Sequence, residues 1–273
     1  MGTPKVSIVT PSFNQARYLP QTLQCIREQD YPDIEHVVID GGSTDGTLKI
    51  LRGAPGIRWV SERDRGQVDA LNKGFKMCTG EVLAWLNSDD TMNRNTVSVA
   101  VAALQRTGAD LVYGDVEIVD EHGKFLRVSH GIPFDFRVLL CGINYIGQQS
   151  VFFRRELLER AGPLRVEFDN AFDCELWLRM AQHGKLVYAP EIRAQIRVHP
   201  AAKSVARADV SRANSQRILA EYWERGGLPA LFRRPPLFWA TNLYYRVKRK
   251  WLTRARAGCC GGAKITRTAG GNL

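Results

Sequence analysis

Four polar residues, Asn87-Ser88-Asp89-Asp90, follow directly on an apolar run, Val82-Leu83-Ala84-Trp85-Leu86. Neighbouring carboxylates repel each other, and a hard divalent cation held through oxygen is one reason to keep them together. Such an ion can also bridge a diphosphate. The other reading is structural: Ser88 or Asp89 caps a helix that follows. A second polar group opens at Asp40, in the turn Asp40-Gly41-Gly42-Ser43-Thr44-Asp45-Gly46-Thr47. It fits an anion-binding glycine turn or a tight strand–helix connection, and lacks the spacing of the dinucleotide fingerprint and of the phosphate-binding loop. The third group is Asp64-Arg65-Gly66-Gln67-Val68-Asp69-Ala70-Leu71-Asn72-Lys73-Gly74. By spacing alone it is a capped amphipathic helix with Asp69, Asn72 and Lys73 on its polar side.

The elements around these groups alternate. Val6 to Val9 reads as a strand closed by Pro11-Ser12, and residues 17–29 as a helix with Leu19, Leu23 and Ile26 on one face. His36 to Ile39 is a second strand, with a helix through Leu51 capped by Thr44-Asp45. Ile57 to Val60 is a third strand, residues 66–77 a third helix, and Val82 to Leu86 a fourth strand. Nearly continuous apolar strands alternating with helices predict an α/β fold with a doubly wound, mostly parallel sheet. Ligands in such sheets bind beyond the carboxyl ends of the strands, where all three polar groups fall. The second half is less regular: strands at 111–113, 116–119, 125–128, 150–153, 187–188 and 195–198, a helix at 171–182, and a polar, Arg-rich helix at 206–225.

Charge divides the chain. From Arg225 onward there are eleven Lys or Arg and no Asp or Glu, which leaves 27 basic and 28 acidic residues in the rest. A near-neutral body argues against nucleic acid as a partner, and a basic tail suits an anionic membrane surface. Residues 237–256 pattern as an amphipathic helix with Leu243, Val247 and Trp251 on one face among Arg and Lys. The alternative is a helix packed on the core with a solvated basic face. The Gly- and Thr-rich end, 258–273, reads as disordered. The six cysteines form no Cys-x-x-Cys pair, which predicts free thiols in a reducing compartment. No signal peptide and no run of about 18 apolar residues is evident. The expected location is cytoplasmic, peripheral on the inner face of the cell membrane.

Taken in order, Thr10-Pro11-Ser12-Phe13-Asn14, Asp40 to Thr47, Asp64-Arg65-Gly66 with Asn72-Lys73-Gly74, and Asn87 to Asp90 resemble glycosyltransferase family 2, the inverting enzymes of the GT-A fold, in its bacterial surface-polysaccharide branch. Further on, Gly147-Gln148-Gln149-Ser150, Ala171 to Arg179 and Arg197-Val198-His199-Pro200 fit the same pattern, so the resemblance covers about 4–200. It implies a GT-A domain over 1–228, with a nucleotide-binding half (1–115) and an acceptor-side half (116–228), then the basic appendage 229–257. It implies sugar transfer from a nucleoside diphosphate sugar, a UDP-sugar by preference, to a lipid-linked or glycan acceptor, with Mn²⁺ or Mg²⁺. Pro11 and Phe13 would lie against the base, with Asn14 beside them. Asp40 would accept a hydrogen bond from the base, and Asp64 and Arg65 would lie near base and diphosphate. Asn72 would belong to the same nucleotide-sugar site. Asn87 and Ser88 would approach the ribose. Asp89 would hold the metal, with His199 a further ligand as in parts of the family, and Asp173 would be the general base. Two positions depart from the pattern: Asn87 stands where the first acid of Asp-x-Asp is usual, and Phe172 where an acid precedes the base. Glu175 is the alternative base. A catalytically silent nucleotide-binding module and a nucleotidyltransferase are the competing functions; the latter usually carries a Gly-rich basic loop after the first strand, where this chain has Pro11-Ser12-Phe13-Asn14.

Overall fold

The computed structural model describes residues 2–140 and 142–225, with residues 240, 243, 244, 246–248, 250 and 251. The expected appendage 229–257 is therefore seen only at those later positions, and the tail 258–273 lies outside the described residues.

The chain opens with β1 (Val6–Ser12), α1 (Leu19–Arg27), β2 (Ile34–Asp40), α2 (Thr47–Gly53), β3 (Ile57–Ser61), α3 (Gln67–Met77) and β4 (Val82–Trp85). These four strands pair in parallel, in the order β3-β2-β1-β4. β1 is buried along its whole length because it lies between β2 and β4. It also runs through Pro11-Ser12, which the sequence suggested would close it. Pro11 shares the edge on which the Val9 carbonyl accepts from Leu86. β4 has its last partner opposite Val9, so the missing amide hydrogen of Pro11 faces no ladder.

The second half adds β5 (Thr91–Met92), α4 (Thr96–Thr107), β6 (Leu111–Val119), β7 (Phe125–Ser129), α5 (Phe136–Leu140), β8 (Phe152–Arg154), α6 (Arg155–Ala161), α7 (Phe172–Met180), β9 (Leu186–Arg197), α8 (Lys203–Ala206) and α9 (Ala208–Arg225). The sheet continues as β4-β8-β6-β9-β5, with β7 also on β6. β8 is antiparallel to both β4 and β6, whereas β6 and β9 are parallel. One sheet thus crosses residue 115, parallel in its first half and mixed beyond.

Two expected pairs of short strands are each one strand. Residues 111–113 and 116–119 join as β6, whose register with β9 slips between Tyr113 and Asp115. Gly114 sits at that slip because a Cβ there would come 2.1 Å from the Ile192 carbonyl. Residues 187–188 and 195–197 likewise join in β9. The pattern reading assigned nothing to 96–107, where α4 lies; its Val- and Thr-rich composition is a weak helix former. The helix is held by its buried face of Val97, Ala100, Val101 and Leu104.

β4 shows how the two layers form. Val82, Ala84 and Leu86 join one buried cluster, with α4, and Leu83 and Trp85 join the other, as period-two alternation requires. Trp85 stacks on Trp177 of α7 at 5.4 Å between ring centres and 21° between planes. Such a pair adds about 0.5–1.5 kcal/mol beyond its buried area, and it fixes α7 to the strand that carries the acidic loop. α3 lies equally close to β1: a Cβ on Gly74 would come 2.3 Å from Val9. Among the described residues no helix is long and apolar enough to cross a membrane. Cys25, Cys78 and Cys174 are free thiols.

Candidate active site

A cleft of about 750 Å³ opens at the carboxyl ends of β1 and β4 and is closed on its far side by α7, α8 and α9. Of the residues singled out in the sequence, Pro11, Phe13, Asp64, Asn87, Ser88, Asp89 and Asp173 line it.

The loop after β4 forms one wall. No helix follows Ser88 or Asp89 directly; β5 does, and the next helix starts at Thr96, so the capping alternative is not realised. Asp90 is buried and serves as the loop's internal anchor. Its carboxylate accepts from Gln149 Nε2 (2.7 Å), Asn87 Nδ2 (3.1 Å) and the Arg197 amide (2.9 Å). Burial, and then the neighbouring charge of Asp89, push its pKa up to about 8. Asn87 is bound on both sides of its amide: Oδ1 accepts from Gln67 Nε2 at 2.7 Å, and Nδ2 also reaches Gln148 Oε1 at 3.3 Å.

Asp89 faces the cleft with a partner behind it. Its Oδ2 lies 3.0 Å from His199 Nε2. The His199 ring is buried and packs against Tyr18 at 4.8 Å. β9 brings His199 there, and Arg197 ties the strand to the loop through Nε to the Asp89 carbonyl (3.0 Å). The described residues contain no group of three or more His, Cys, Asp or Glu that could hold a metal. As a pair, Asp89 and His199 could therefore supply at most two ligands. An oxygen and a nitrogen donor of this kind would fit a divalent ion that is otherwise held by its substrate and water.

Asp173 lines the same cleft from the first turn of α7. Its Oδ2 accepts from Asn144 Nδ2 at 3.0 Å. Desolvation raises its pKa, against the hydrogen bonds from the Cys174 amide and Asn144. Ala171, just ahead, has φ +71°, a left-handed conformation that is strained for a residue with a Cβ. Glu175 is almost fully buried and paired with Arg179 at 2.8 Å, turned away from the cleft.

Four expected site residues are placed elsewhere or otherwise engaged. Asp40 is buried within its own turn: Oδ2 accepts from the Gly42 and Ser43 amides and from Ser61 Oγ (3.1, 2.9 and 2.7 Å), and Oδ1 from Ser43 Oγ (2.5 Å). It closes the turn and does not line the cleft. Asn14, with φ +53°, staples two loops through Ser43 Oγ and the Thr44 amide. Asn72 clamps Leu164 in both directions, Nδ2 to its carbonyl and Oδ1 from its amide. Arg65 is exposed and paired with Asp69 along α3. Asp64, by contrast, has Oδ1 on the Gly66 amide (2.9 Å) and projects Oδ2 over Gly41, where a Cβ would come within 2.8 Å.

The cleft also holds residues to which the sequence reading gave no role. Gln67, Asn144, Asp169, Lys203 and Arg207 all line it. Lys203 Nζ donates to Asp169 Oδ2 and to the Asp169 carbonyl, both at 2.6 Å, and to Gln67 Oε1 at 3.3 Å. Burial pulls its pKa down, with Asp169 offsetting part of the effect. No periodicity marks 163–171 or 200–207, so the sequence carries no signal for these partners.

The chain has relatives among known proteins. It matches the family described as "Glycosyl transferase family 2" over residues 7–167. A PGL/p-HBAD biosynthesis glycosyltransferase of Mycobacterium bovis is 36% identical over 194 residues, 68% of this chain and 73% of the relative. Among solved structures, the mannosyltransferase PcManGT from Pyrobaculum calidifontis, in complex with GDP-Man and Mn²⁺, is similar with a TM-score of 0.63 and 25% identity, over 97% of this chain and 77% of that one. S. aureus TarS 1–349 in complex with UDP-GlcNAc shares the fold at 19% identity and a TM-score of 0.63, over 80% of this chain and 71% of that one; the chain spans 43% of a longer TarS chain. A match over more than half the chain, ending beyond β8 and including every acidic loop described above except that of α7, shows that the chain belongs to glycosyl transferase family 2, with the GT-A fold, and is a transferase.

Proposed function

We propose that the protein moves a sugar from a nucleoside diphosphate sugar to an acceptor hydroxyl with inversion at the anomeric carbon. The observation that carries this is that Asp89, backed by His199, and the Asp173 carboxylate line one and the same cleft. The binding of GDP-Man and Mn²⁺ by PcManGT and of UDP-GlcNAc by TarS supports a nucleotide-sugar donor.

The donor's base would lie between Pro11 and the exposed ring of Phe13. Asp64 is the carboxylate free to accept from a base N–H, since Asp40 is saturated by its own turn. A single projecting oxygen suits the one ring N–H of uracil, which favours a UDP-sugar. Asn87 and Ser88 would meet the ribose. Asp89 and His199 would hold a divalent ion, which when bound neutralises charge on the diphosphate. An oxygen–nitrogen pair suits Mn²⁺ better than Mg²⁺, which prefers oxygen alone. Asp173 takes the proton of the acceptor hydroxyl as the hydroxyl oxygen bonds the anomeric carbon; the bond from that carbon to the diphosphate breaks and its electron pair stays on the diphosphate oxygen. The raised proton affinity of Asp173 strengthens it as a base.

The acceptor is read as a lipid-linked or glycan hydroxyl in cell-surface polysaccharide synthesis, met at an anionic membrane surface. In support, Leu243, Val247 and Trp251 lie at helical spacing and are each more than half exposed, in a segment rich in Lys and Arg. Replacing all three with Glu in the full chain should abolish flotation with anionic vesicles; unchanged flotation would remove the membrane from the proposal. The transfer itself is tested by nucleoside diphosphate release from a panel of UDP- and GDP-sugars with Mn²⁺, for wild type and Asp173→Asn. Turnover by the wild type alone, with equal nucleotide binding by both, is expected. Binding without turnover in either would make the protein a silent nucleotide-binding module.

A further inference from the structure

Among the described residues, three basic side chains line the cleft: Arg197, Lys203 and Arg207. Arg197 is committed to the scaffold, with Nε on the Asp89 carbonyl, Nη1 on the Glu121 carbonyl and Nη2 on Gln21 Oε1. Lys203 is different. Its partner carboxylate, Asp169, lies inside the cleft, and its third contact, Gln67 Oε1, belongs to the amide that also donates to Asn87. The ammonium is thus two hydrogen bonds from the loop where the diphosphate would lie. That loop carries Asn87 where the resemblance expects a carboxylate, and its other carboxylate, Asp90, is taken up by Gln149, Asn87 and the Arg197 amide, which leaves Asp89 with His199 beside the diphosphate. A flexible ammonium beside it can supply the positive charge that a leaving diphosphate still needs.

We propose that Lys203 is a catalytic contact for the leaving diphosphate, parked on the Asp169 carboxylate until a donor arrives. The inference rests on the donor reading of the cleft given above. On donor binding, Nζ exchanges Asp169 Oδ2 for a phosphate oxygen and keeps all its protons. Asp169 is not stranded by the exchange: its Oδ1 retains the Val68 amide at 3.2 Å, and Arg207 Nη1 lies 4.0 Å from its Oδ2. During transfer the anomeric C–O bond breaks and its electron pair stays on the diphosphate oxygen. The acceptor proton goes to Asp173, and Lys203 offsets the charge that grows on the leaving group. Asp169 acts in this scheme as a placeholder anion, so its removal and the removal of Lys203 have opposite effects.

The test is calorimetric titration of UDP, with Mn²⁺, into wild type, Lys203→Met, Lys203→Arg and Asp169→Asn, with a thermal melt of each. Lys203→Met should weaken UDP binding about tenfold or more, the loss of one charge-assisted hydrogen bond. Lys203→Arg should stay within about threefold of wild type by the same measure. Asp169→Asn should bind UDP more tightly than wild type. UDP affinity within about twofold of wild type in Lys203→Met, or parallel weakening in Lys203→Met and Asp169→Asn, would mark a structural ion pair and overturn the proposal. Should Lys203→Met fail to fold, Asp169→Asn decides alone: tighter binding supports the placeholder, weaker or equal binding refutes it. A wild type that binds neither UDP nor GDP is a different failure, that of the donor reading itself.

Discussion

Replacing Gly147 with Ala gives the most discriminating view of how the acidic loop is held. Gly147 has φ −72° and ψ 108°, a conformation open to any residue, so the backbone itself does not demand glycine. Space does: a Cβ would come 2.1 Å from Val116 Cγ2. Carbon atoms in good contact are about 3.5 Å apart or more, so Gly147 or Val116 must retreat by about 1.4 Å. Val116 is buried in β6, and overpacking of this kind costs about 1–3 kcal/mol. The other course is a shift of the Gly147–Ser150 turn. That turn carries Gln148, on the Trp85 carbonyl at 2.7 Å and against Asn87, and Gln149, on Asp90 at 2.7 Å. A displacement of about 1 Å at a reacting centre costs about a hundredfold in rate. Gly147→Ala should therefore lower stability by that amount and reduce turnover further than the unfolded fraction explains. Val116→Ala alone should cost about 2 kcal/mol through lost methyls and a cavity. In the double variant the clash is gone, so the two effects should fall short of their sum by about 1 kcal/mol or more. Denaturant unfolding and nucleoside diphosphate release on all four proteins measure this. Additive effects, or a Gly147→Ala protein with wild-type stability and turnover, would refute the packing argument.

Three further outcomes follow from the same contacts. Asn144→Ala removes a donor to the ionised Asp173, so the pKa, already raised by burial, moves further up. The acidic limb of the turnover–pH profile should shift to higher pH; an unmoved limb would separate Asp173 from the titration that controls rate. Because burial raises this pKa above its unfolded value, Asp173 favours the fold at low pH, and that contribution fades as pH rises through the folded value. Glu175→Ala leaves Arg179 without its buried partner and should destabilise the fold by about 3–5 kcal/mol, read in unfolding curves; an effect on turnover in a fully folded variant would argue that Glu175 takes part in the chemistry. Asp173→Asn should lower turnover about 10²–10⁴-fold with nucleotide affinity unchanged, and a smaller loss would move the base elsewhere.

The first half of the fold was legible because buried parallel strands read as unbroken apolar runs, and β1 to β4 differ from expectation only at their ends. The later strands were less so. Gly114 looked like a break in β6 but is a bulge, because a backbone carbonyl approaches too closely for any side chain. α4 was missed because its helix forms through burial against β9 and β6 more than through its own composition. In the cleft, residue types after strand ends drew attention to Asp64, Asn87 and Asp89, whereas Asp173, in the first turn of α7, was singled out only by the family resemblance. The turn at Asp40 was visible as a turn, but the internal use of its acceptor capacity depends on Ser61, 21 residues away, as well as on the turn itself. Asp169 and Lys203, 34 residues apart, meet through the path of α7 and β9 between them, and pattern carries no trace of such a pairing.

The most direct test of the central claim is the metal dependence of turnover in wild type and Asp89→Ala, with UDP-sugars as donors. Wild type should release UDP with saturable dependence on Mn²⁺, lose that activity in a chelator, and regain it on adding the ion back; Asp89→Ala should fail at every Mn²⁺ concentration while remaining folded. Turnover that persists in chelator, or an Asp89→Ala protein with the Mn²⁺ dependence of wild type, would contradict the assignment of Asp89 and His199.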